Sequence, residues 1–431
     1  MLAARDGKAM IQQIRRVKEH PAVRHLGPGL ITGAADDDPS GIATYSQAGA
    51  LFGFNMLWTM FLTYPLMSSI QMISARLGCL TGRGLAANIK IEFPPWVLYG
   101  IVGLLMVANT FNIAADIAMM GEATRLVIGG SALHYSIGFG LTCLVLQVFV
   151  PYHTYVRFLK WLTLALLSYV AVVFTIHVPW LTVARSVVAP SFTLGPESIV
   201  IIVAVLGTTI SPYLFFWQAA QEMEDLRATP GGVTLPHARE DADRHLTRIK
   251  WDSLIGMGFA NLIAFFVMLS TAATLHQAGI TSIQTSSQAA EALRPLAGDF
   301  AFLLFSLGIV GTGMLAIPVL AGSAAYAVTE AFEGTTGLDK KLHEAKGFYA
   351  IVAVATMGGV GLTLTPIDPI KALLASAVVN GVLAVPIMAV LLILGSRTRV
   401  MGHYVIERPL SLVGWLATLV MGFAVVAMIV F

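Results

Sequence analysis

Apolar residues run along this chain in long blocks separated by short polar stretches. Eleven such blocks fall near residues 26–52, 54–78, 96–127, 132–151, 157–178, 198–223, 251–275, 299–328, 347–364, 369–396 and 409–430. A helix of roughly 20 apolar residues crosses a bilayer, so the pattern predicts eleven membrane helices. The short Leu51–Asn55 connection joins the first two in a tight turn. Residues 1–25 are polar and basic, with no apolar core ahead of a cleavage site, and do not read as a secretory signal. Residues 226–250 carry Pro, Gly and mixed charge and read as a solvated cytoplasmic linker.

Composition agrees with the pattern. Of the 431 residues 56% are hydrophobic and 12% charged, and mean hydropathy is +0.77. A soluble protein carries about twice that charge fraction. The chain therefore reads as an all-α, multi-pass membrane protein with the lipid bilayer as its partner. The net charge of +2 sits on loops and gives no reason to expect nucleic acid. Placing the N-terminus in the cytoplasm puts 22 of the 26 Lys and Arg residues on inner segments; only Arg125, Arg185, Arg294 and Lys371 fall outside. That satisfies the positive-inside rule and predicts a plasma-membrane protein with its C-terminus outside. Cys79 and Cys143 lie in apolar blocks and make neither a disulfide framework nor a thiolate metal site.

Chemistry enters at Asp36-Asp37-Asp38-Pro39-Ser40-Gly41, inside the first apolar block. A carboxylate at membrane depth is a functional-site hypothesis by default. Pro39 lacks a donor and Gly41 weakens a helix. Open backbone at that depth is tolerated only where protein buries it or a cavity takes it. The sixth block repeats the device: Gly207 and Pro212 bracket Thr208, Thr209 and Ser211. Interrupted helices at matching places in two inverted halves point to a transport site near the midplane. Residues 26–178 and 198–396 would be the two repeats and 409–430 an added helix. Unwound carbonyls carry the negative end of each half-helix dipole. With Asp38 added, the cavity favours a cation over an anionic or zwitterionic substrate.

At these residues the chain resembles the Nramp family of divalent-metal transporters. The resemblance spans the whole chain. It is carried by Gly27-Pro28-Gly29-Leu30-Ile31, Asp38-Pro39, the block from Ser74 to Ala86, Ala115-Asp116-Ile117-Ala118 and the stretch Gly207–Tyr213. It implies eleven helices in a LeuT-like 5+5 inverted repeat with helices 1 and 6 broken. It also implies import of manganese or iron by alternating access, usually in symport with protons, with no enzymatic activity. The metal is cargo, and no resident cofactor is expected.

The chain departs from the family pattern at the metal site. Gly41 stands where the family has an asparagine ligand, Ser211 where it has methionine, and Tyr213 where it has histidine. Thr208 takes the place of an alanine whose carbonyl coordinates, Met119 that of a glutamate, and Ala377 that of a glutamine, with Asn380 nearby. Soft ligands favour late transition metals, whereas carboxylate, hydroxyl, carbonyl and water suit magnesium and manganese. Nramp-related proteins without the methionine are associated with magnesium. Both ion classes, Mn²⁺/Fe²⁺ and Mg²⁺, stay open on the sequence. The expected metal-contacting set is Asp38, Thr208, Ser211 and Gly41. Asp37, Tyr213, Gln218 and Asn380 are expected behind it or in a vestibule. Asp116 and Glu122 are the candidates for an ion or proton path. With histidine and glutamate gone beside Asp116, the expectation is weak or absent proton coupling.

Bland readings compete. Neighbouring helical residues point about 100° apart, so the three aspartates do not all face one ion, and Asp36 caps a helix or faces water. Glu122 and Arg125, three apart, form an ion pair. Glu222, Glu224 and Asp225 read as solvated ends, and Arg76 and Arg83 as ties between the inner loop and the bundle. Rival functions are an intramembrane protease with Asp38 and Asp116 sharing a proton, an uncoupled Mg²⁺ carrier or channel-like path, and an amino-acid or polyamine permease of the same fold.

Overall fold

The first apolar block does break at its aspartates, and the same residues restart it. In a computed structural model that describes residues 28–150, 163–191, 195–228, 239–338, 340–366 and 368–431, helix α1 covers Pro28–Asp36 and α2 covers Pro39–Phe52. Asp38 is the N-cap of α2 in an extended conformation (φ −70°, ψ 171°), and its side chain accepts from Gly41 N. Pro39 takes the first helical position, where its missing N–H costs nothing. A motif that reads as a helix breaker is thus also a helix start.

The chain continues as α3 (Trp58–Thr81), α4 (Leu85–Glu92), α5 (Pro95–Ile128), α6 (Ala132–Phe149), α7 (Leu167–Thr175) and α8 (Trp180–Val188). The sixth apolar block is again split, into α9 (Pro196–Thr209) and α10 (Pro212–Ala228). Then come α11 (Arg239–Thr271), α12 (Ala301–Ala331), α13 (Lys346–Leu362), α14 (Pro369–Ser396) and α15 (Arg408–Val430). Every regular element among the described residues is helical.

Seven helical stretches among the described residues are long and apolar enough to cross a membrane, or nine if each of two bent pairs is one span. The expected eleven is not reached for local reasons. The first block is divided into helices of 9 and 14 residues, and α13 has 17. The fifth block lies partly outside the described residues, and its helical remainder, Leu164–Thr175, turns by 116° into α8. Helix α3 meets α2 at 110°. Its 24 residues give it a length of about 36 Å, sufficient to span a bilayer unaided.

The helices pack in two neighbourhoods that meet where α10 lies against α12. Helix α11 lies against α1, α2 and α3, and α3 packs on α10; separately, α5 packs on α6, α12 and α13. Helices α9 and α14 pack on each other, and α14 also touches α5 and α15. Small residues let these backbones approach, as membrane helices require. A Cβ at Gly78 would lie 2.1 Å from Ala219 O, and one at Gly207 would lie 2.1 Å from Ala377 O.

One end of the bundle gathers the basic side chains. There Arg397 pairs with Glu92 at 2.8 Å, Lys90 donates to Ala331 O and Arg227 to Gly82 O. The segment 226–250 is not simply a solvated linker: α10 runs to Ala228, α11 begins at Arg239, and Ala242 and Ile249 are buried. Residues 229–238, and the N-terminal segment 1–25, lie outside the described residues. Arg83 is exposed. The turn after α3 is held instead by Asn88, whose Nδ2 reaches Gly84 O at 2.8 Å, and by Glu330, which accepts from Ala87 N. Glu222 and Glu224 are not solvated either. Glu222 is 1% exposed and paired with Arg248 of α11, and Glu224 accepts from Tyr326 Oη at 2.5 Å. The two cysteines are free and buried.

Candidate functional site

The two helix breaks face one another. Asp38, 1% exposed, uses its two carboxylate oxygens differently. Oδ1 accepts from Gly41 N at 2.8 Å and Ser40 Oγ at 2.7 Å, so it belongs to the cap of α2. Oδ2 points away from the cap, where Asn112 Nδ2 of α5 donates at 3.0 Å and Tyr213 Oη of α10 at 3.4 Å. Burying a carboxylate is costly unless hydrogen bonds and a favourable dipole hold it. Here four donors and the N-terminal end of α2 supply both.

The second break contributes hydroxyls and carbonyls. Ser211 Oγ donates towards Thr208 O at 2.7 Å and Gly207 O at 3.2 Å. These are among the carbonyls that the end of α9 leaves without helical partners. Donating outward keeps the lone pairs of Ser211 available. Thr208 Oγ1 lies 3.4 Å from Ser40 Oγ, and Thr209 Oγ1 lies 3.2 Å from Tyr45 Oη. These contacts stitch the start of α2 to the end of α9. Tyr213 Oη also reaches Ala35 O at the end of α1. Asp38, Ser40, Thr208, Tyr213 and Asn112 thus form one connected cluster from four helices, with Ser211 bound to the Thr208 carbonyl. Each donor in it is a hard oxygen or nitrogen group.

The other expected residues fall around it. Gly41 has no side chain, and its amide is committed to Asp38. Asp36 and Asp37 are 2% and 3% exposed, so Asp36 does not face water; its Oδ1 is buried without a partner. Among the described residues no three His, Cys, Asp or Glu side chains converge as a metal cage, in keeping with three aspartates that splay. Asp116 is fully buried one turn beyond Asn112, which donates to its Oδ2 at 3.4 Å. An amide therefore stands between Asp38 and Asp116, which argues against a protease dyad sharing one proton. Asn380 is buried on α14 with its Oδ1 unpartnered, and no hydrogen bond joins it to the cluster.

Gln218 is engaged towards the basic end. Its Oε1 accepts from Thr32 Oγ1 at 2.5 Å and Gln71 Nε2 at 3.4 Å, and its Nε2 donates to Glu222 Oε1 at 3.2 Å. Gly29 N of α1 reaches Asp252 Oδ2 of α11 at 2.7 Å. Glu222 then meets Arg248. This polar seam closes the site on that side. On the opposite side Glu122, paired with Arg125 at 2.8 Å, lines an open cleft with Gln284, Ser286 and Asp368. Ile370 lines that cleft and also a void of about 10 Å³ among Ile42, Ser46, Met119 and Phe305, room for about one water. The void's largely apolar walls thus form a plug at the Ile370 edge of the cleft.

Sequence reasoning missed Asn112, Ser40 and the Gln71–Gln218 link. The signal for Asn112 was present: a polar residue one helical turn before Asp116 in an apolar block shares its face.

Residues 29–431 match the family profile described as natural resistance-associated macrophage protein-like. The divalent metal cation transporter MntH of Klebsiella pneumoniae (strain 342) is 28% identical over 96% of this chain and 95% of its own length. MntH of Yersinia pestis (strain Pestoides F) is 26% identical over 73% of each. Among solved structures, a manganese transporter of Eremococcus coleocola superposes with a TM-score of 0.72 over 94% of this chain and 86% of that one, at 16% identity. The nucleobase-cation-symport-1 family transporter Mhp1, in a closed conformation, gives a TM-score of 0.57 at 15% identity, over 94% and 92% of the chains. The two structural likenesses show the fold, that of transporters with a broken-helix inverted repeat. The profile, matched from α1 to the last residue, shows the lineage: the chain belongs to the Nramp family of membrane metal transporters.

Proposed function

We propose that the protein imports hard divalent cations, Mg²⁺ and Mn²⁺ ahead of later transition metals, by alternating access across eleven spans. The observation that carries this is the division of the Asp38 carboxylate between two roles. Oδ1 is spent on the helix cap, while Oδ2 points away from it towards Asn112 of α5 and Tyr213 of α10. Asp38 Oδ2 is the anchor, with Ser211 and Thr208 as neutral oxygens. No thioether or imidazole takes part in this hydrogen-bonded cluster, and its carboxylate and hydroxyl oxygens suit magnesium and manganese. Magnesium keeps several waters when bound by one or two carboxylates, which fits a site with a single carboxylate oxygen outside the helix cap. The relatives named as divalent metal cation transporters support cation transport for this chain.

The two neighbourhoods of packed helices supply the moving parts. The group of α1, α2, α3, α10 and α11 carries one wall of the site, and the group around α5 and α12 carries Asn112 and Asp116. Rocking one against the other would open the apolar plug or the polar seam in turn. The basic end, by its Lys and Arg content, is the cytoplasmic one. Coupling to protons is weak or absent, since Tyr213 titrates far above neutral pH in water and no histidine joins the cluster.

Uptake into proteoliposomes tests this, with Mg²⁺ and Mn²⁺ offered separately and a lumenal pH dye present. The expected result is saturable entry of both ions without acidification, lost in Asp38→Ala. Uptake by Asp38→Ala equal to wild type would end the proposal. Acidification during metal entry would restore the proton symport usual in the family.

A further inference from the structure

The sequence lacks the amide ligand that the family carries in helix 1, because Gly41 stands in its place. The structure brings an amide to the same carboxylate from another helix. Asn112 of α5 is 0% exposed, and its Nδ2 lies 3.0 Å from Asp38 Oδ2 and 3.4 Å from Asp116 Oδ2. Its Oδ1 is equally buried and has no hydrogen-bond partner. An unpartnered carbonyl oxygen in such surroundings carries the full desolvation cost of the group, and here it sits beside the anchor of a cation site.

We infer that Asn112 is a metal ligand, its Oδ1 replacing the lost helix 1 amide. The two ends of a carboxamide differ in O and N alone. A half-turn about its last torsion therefore puts Oδ1 where Nδ2 now lies, 3.0 Å from Asp38 Oδ2. Two oxygens on neighbouring corners of an octahedron with bonds of about 2.1 Å stand about 3.0 Å apart. The spacing between Asn112 and Asp38 is thus the edge of a Mg²⁺ or Mn²⁺ coordination shell. The ion enters that edge, Asp38 Oδ2 and Asn112 Oδ1 each give it a lone pair, and Nδ2 turns away.

The swap gives one residue two duties. With Nδ2 forward, the amide screens Asp38 from Asp116. With Oδ1 forward, it adds a hard neutral ligand and ties α5 to α2 through the ion. Because α5 and α2 belong to different neighbourhoods, the cation then bridges the two bodies that must move. This inference rests on Asp38 being the anchor, and its test separates the two claims.

The test puts a thiol at the position. Asn112→Cys is titrated with Cd²⁺, and the ultraviolet sulfur-to-cadmium charge-transfer band is read against the wild type, whose Cys79 and Cys143 set the baseline. The expected result is a band that saturates at one equivalent in Asn112→Cys and is absent from wild type. Cadmium bound by Asn112→Cys, measured by equilibrium binding, without a new band would overturn the inference. A Mn²⁺-loaded structure of the unmodified protein, with the ion located by anomalous scattering, checks it without a substitution. Oδ1 is expected about 2.0–2.6 Å from the ion; Oδ1 turned away, with Nδ2 still on Asp38, overturns it. Wild-type Mn²⁺ affinity in Asp38→Ala would instead remove the anchor itself, whatever Asn112 does.

Discussion

Asp38 Oδ1 lies 2.8 Å from the amide nitrogen of Gly41, and this contact makes half of the carboxylate a structural group. Asparagine caps helices about as well as aspartate, whereas alanine costs about 1 kcal/mol. Asp38→Asn and Asp38→Ala both remove the charge, so both are expected to lose metal uptake. Asp38→Ala should in addition be about 1 kcal/mol less stable than Asp38→Asn. Uptake assays beside denaturant unfolding in detergent would check it. Equal stability of the two variants would mean that the cap contributes nothing.

Helices α9 and α14 touch through glycine. A methyl at Gly207 would sit 2.1 Å from Ala377 O and 2.5 Å from Gly381 N, both backbone atoms that cannot swing aside. Gly207→Ala is expected to destabilise by about 1–3 kcal/mol through overpacking. It should also depress uptake, because Thr208 is the next residue along the chain. Gly103→Ala is the control: nothing lies within 4 Å of its added carbon, and alanine favours a helix by about 1 kcal/mol over glycine. Thermal unfolding of the pair should move in opposite directions.

The legibility of each feature in the sequence depends on how local its signal is. Asp38-Pro39 and Ser211-Pro212 break helices by their own covalent and capping chemistry, so both breaks were legible without knowing any neighbour. The set Asp38, Ser40 and Thr208 is brought together by those breaks. Asn112 interrupts no helix and carries no charge, so its one sequence signal is the one-turn spacing that places it on the face of Asp116. Glu222 was misread for a different reason. Its position beside a charged linker suggested solvent, but α11 extends back to Arg239 and folds Arg248 onto it, a long-range contact that periodicity does not encode. The number of spans was limited by length rules, which a helix broken for function does not obey.

The Glu222–Arg248 pair joins α10 to α11 with the Glu222 side chain fully buried and that of Arg248 17% exposed. Breaking a buried pair leaves one charge uncompensated, at a cost of about 3–5 kcal/mol, while replacing both with apolar groups is often neutral. Arg248→Met alone should therefore be strongly destabilising. Glu222→Gln with Arg248→Met should recover most of the loss. Unfolding of the two single variants and the double variant gives the coupling directly; additive losses would show that the pair is not an energetic unit.

Glu122 makes the opposite case. Its pair with Arg125 is half open to solvent, with side chains 25% and 50% exposed, and such pairs are worth about 0–1 kcal/mol. It lies in a cleft that shares Ile370 with the apolar void of Ile42, Met119 and Phe305. Glu122→Gln is expected to keep wild-type stability and the maximal uptake rate. A collapse of uptake in this variant would make the cleft part of the ion's binding path rather than its approach.

Ser211 offers a way to change the chemistry of the site while leaving its anchor untouched. The side chain is buried and bonded to the Thr208 and Gly207 carbonyls at the end of α9. Ser211→Met gives up those hydrogen bonds and adds volume, a cost of about 1–3 kcal/mol, and it places a thioether where oxygen stood. Thioethers prefer soft cations. Cadmium should then compete with Mn²⁺ uptake about tenfold better than in wild type, a difference of about 1.4 kcal/mol, while Mg²⁺ uptake falls. Competition curves in proteoliposomes read this directly. If the variant folds and carries Mn²⁺ with unchanged cadmium inhibition, Ser211 does not face the ion, and the choice of cation rests on Asp38 and Asn112.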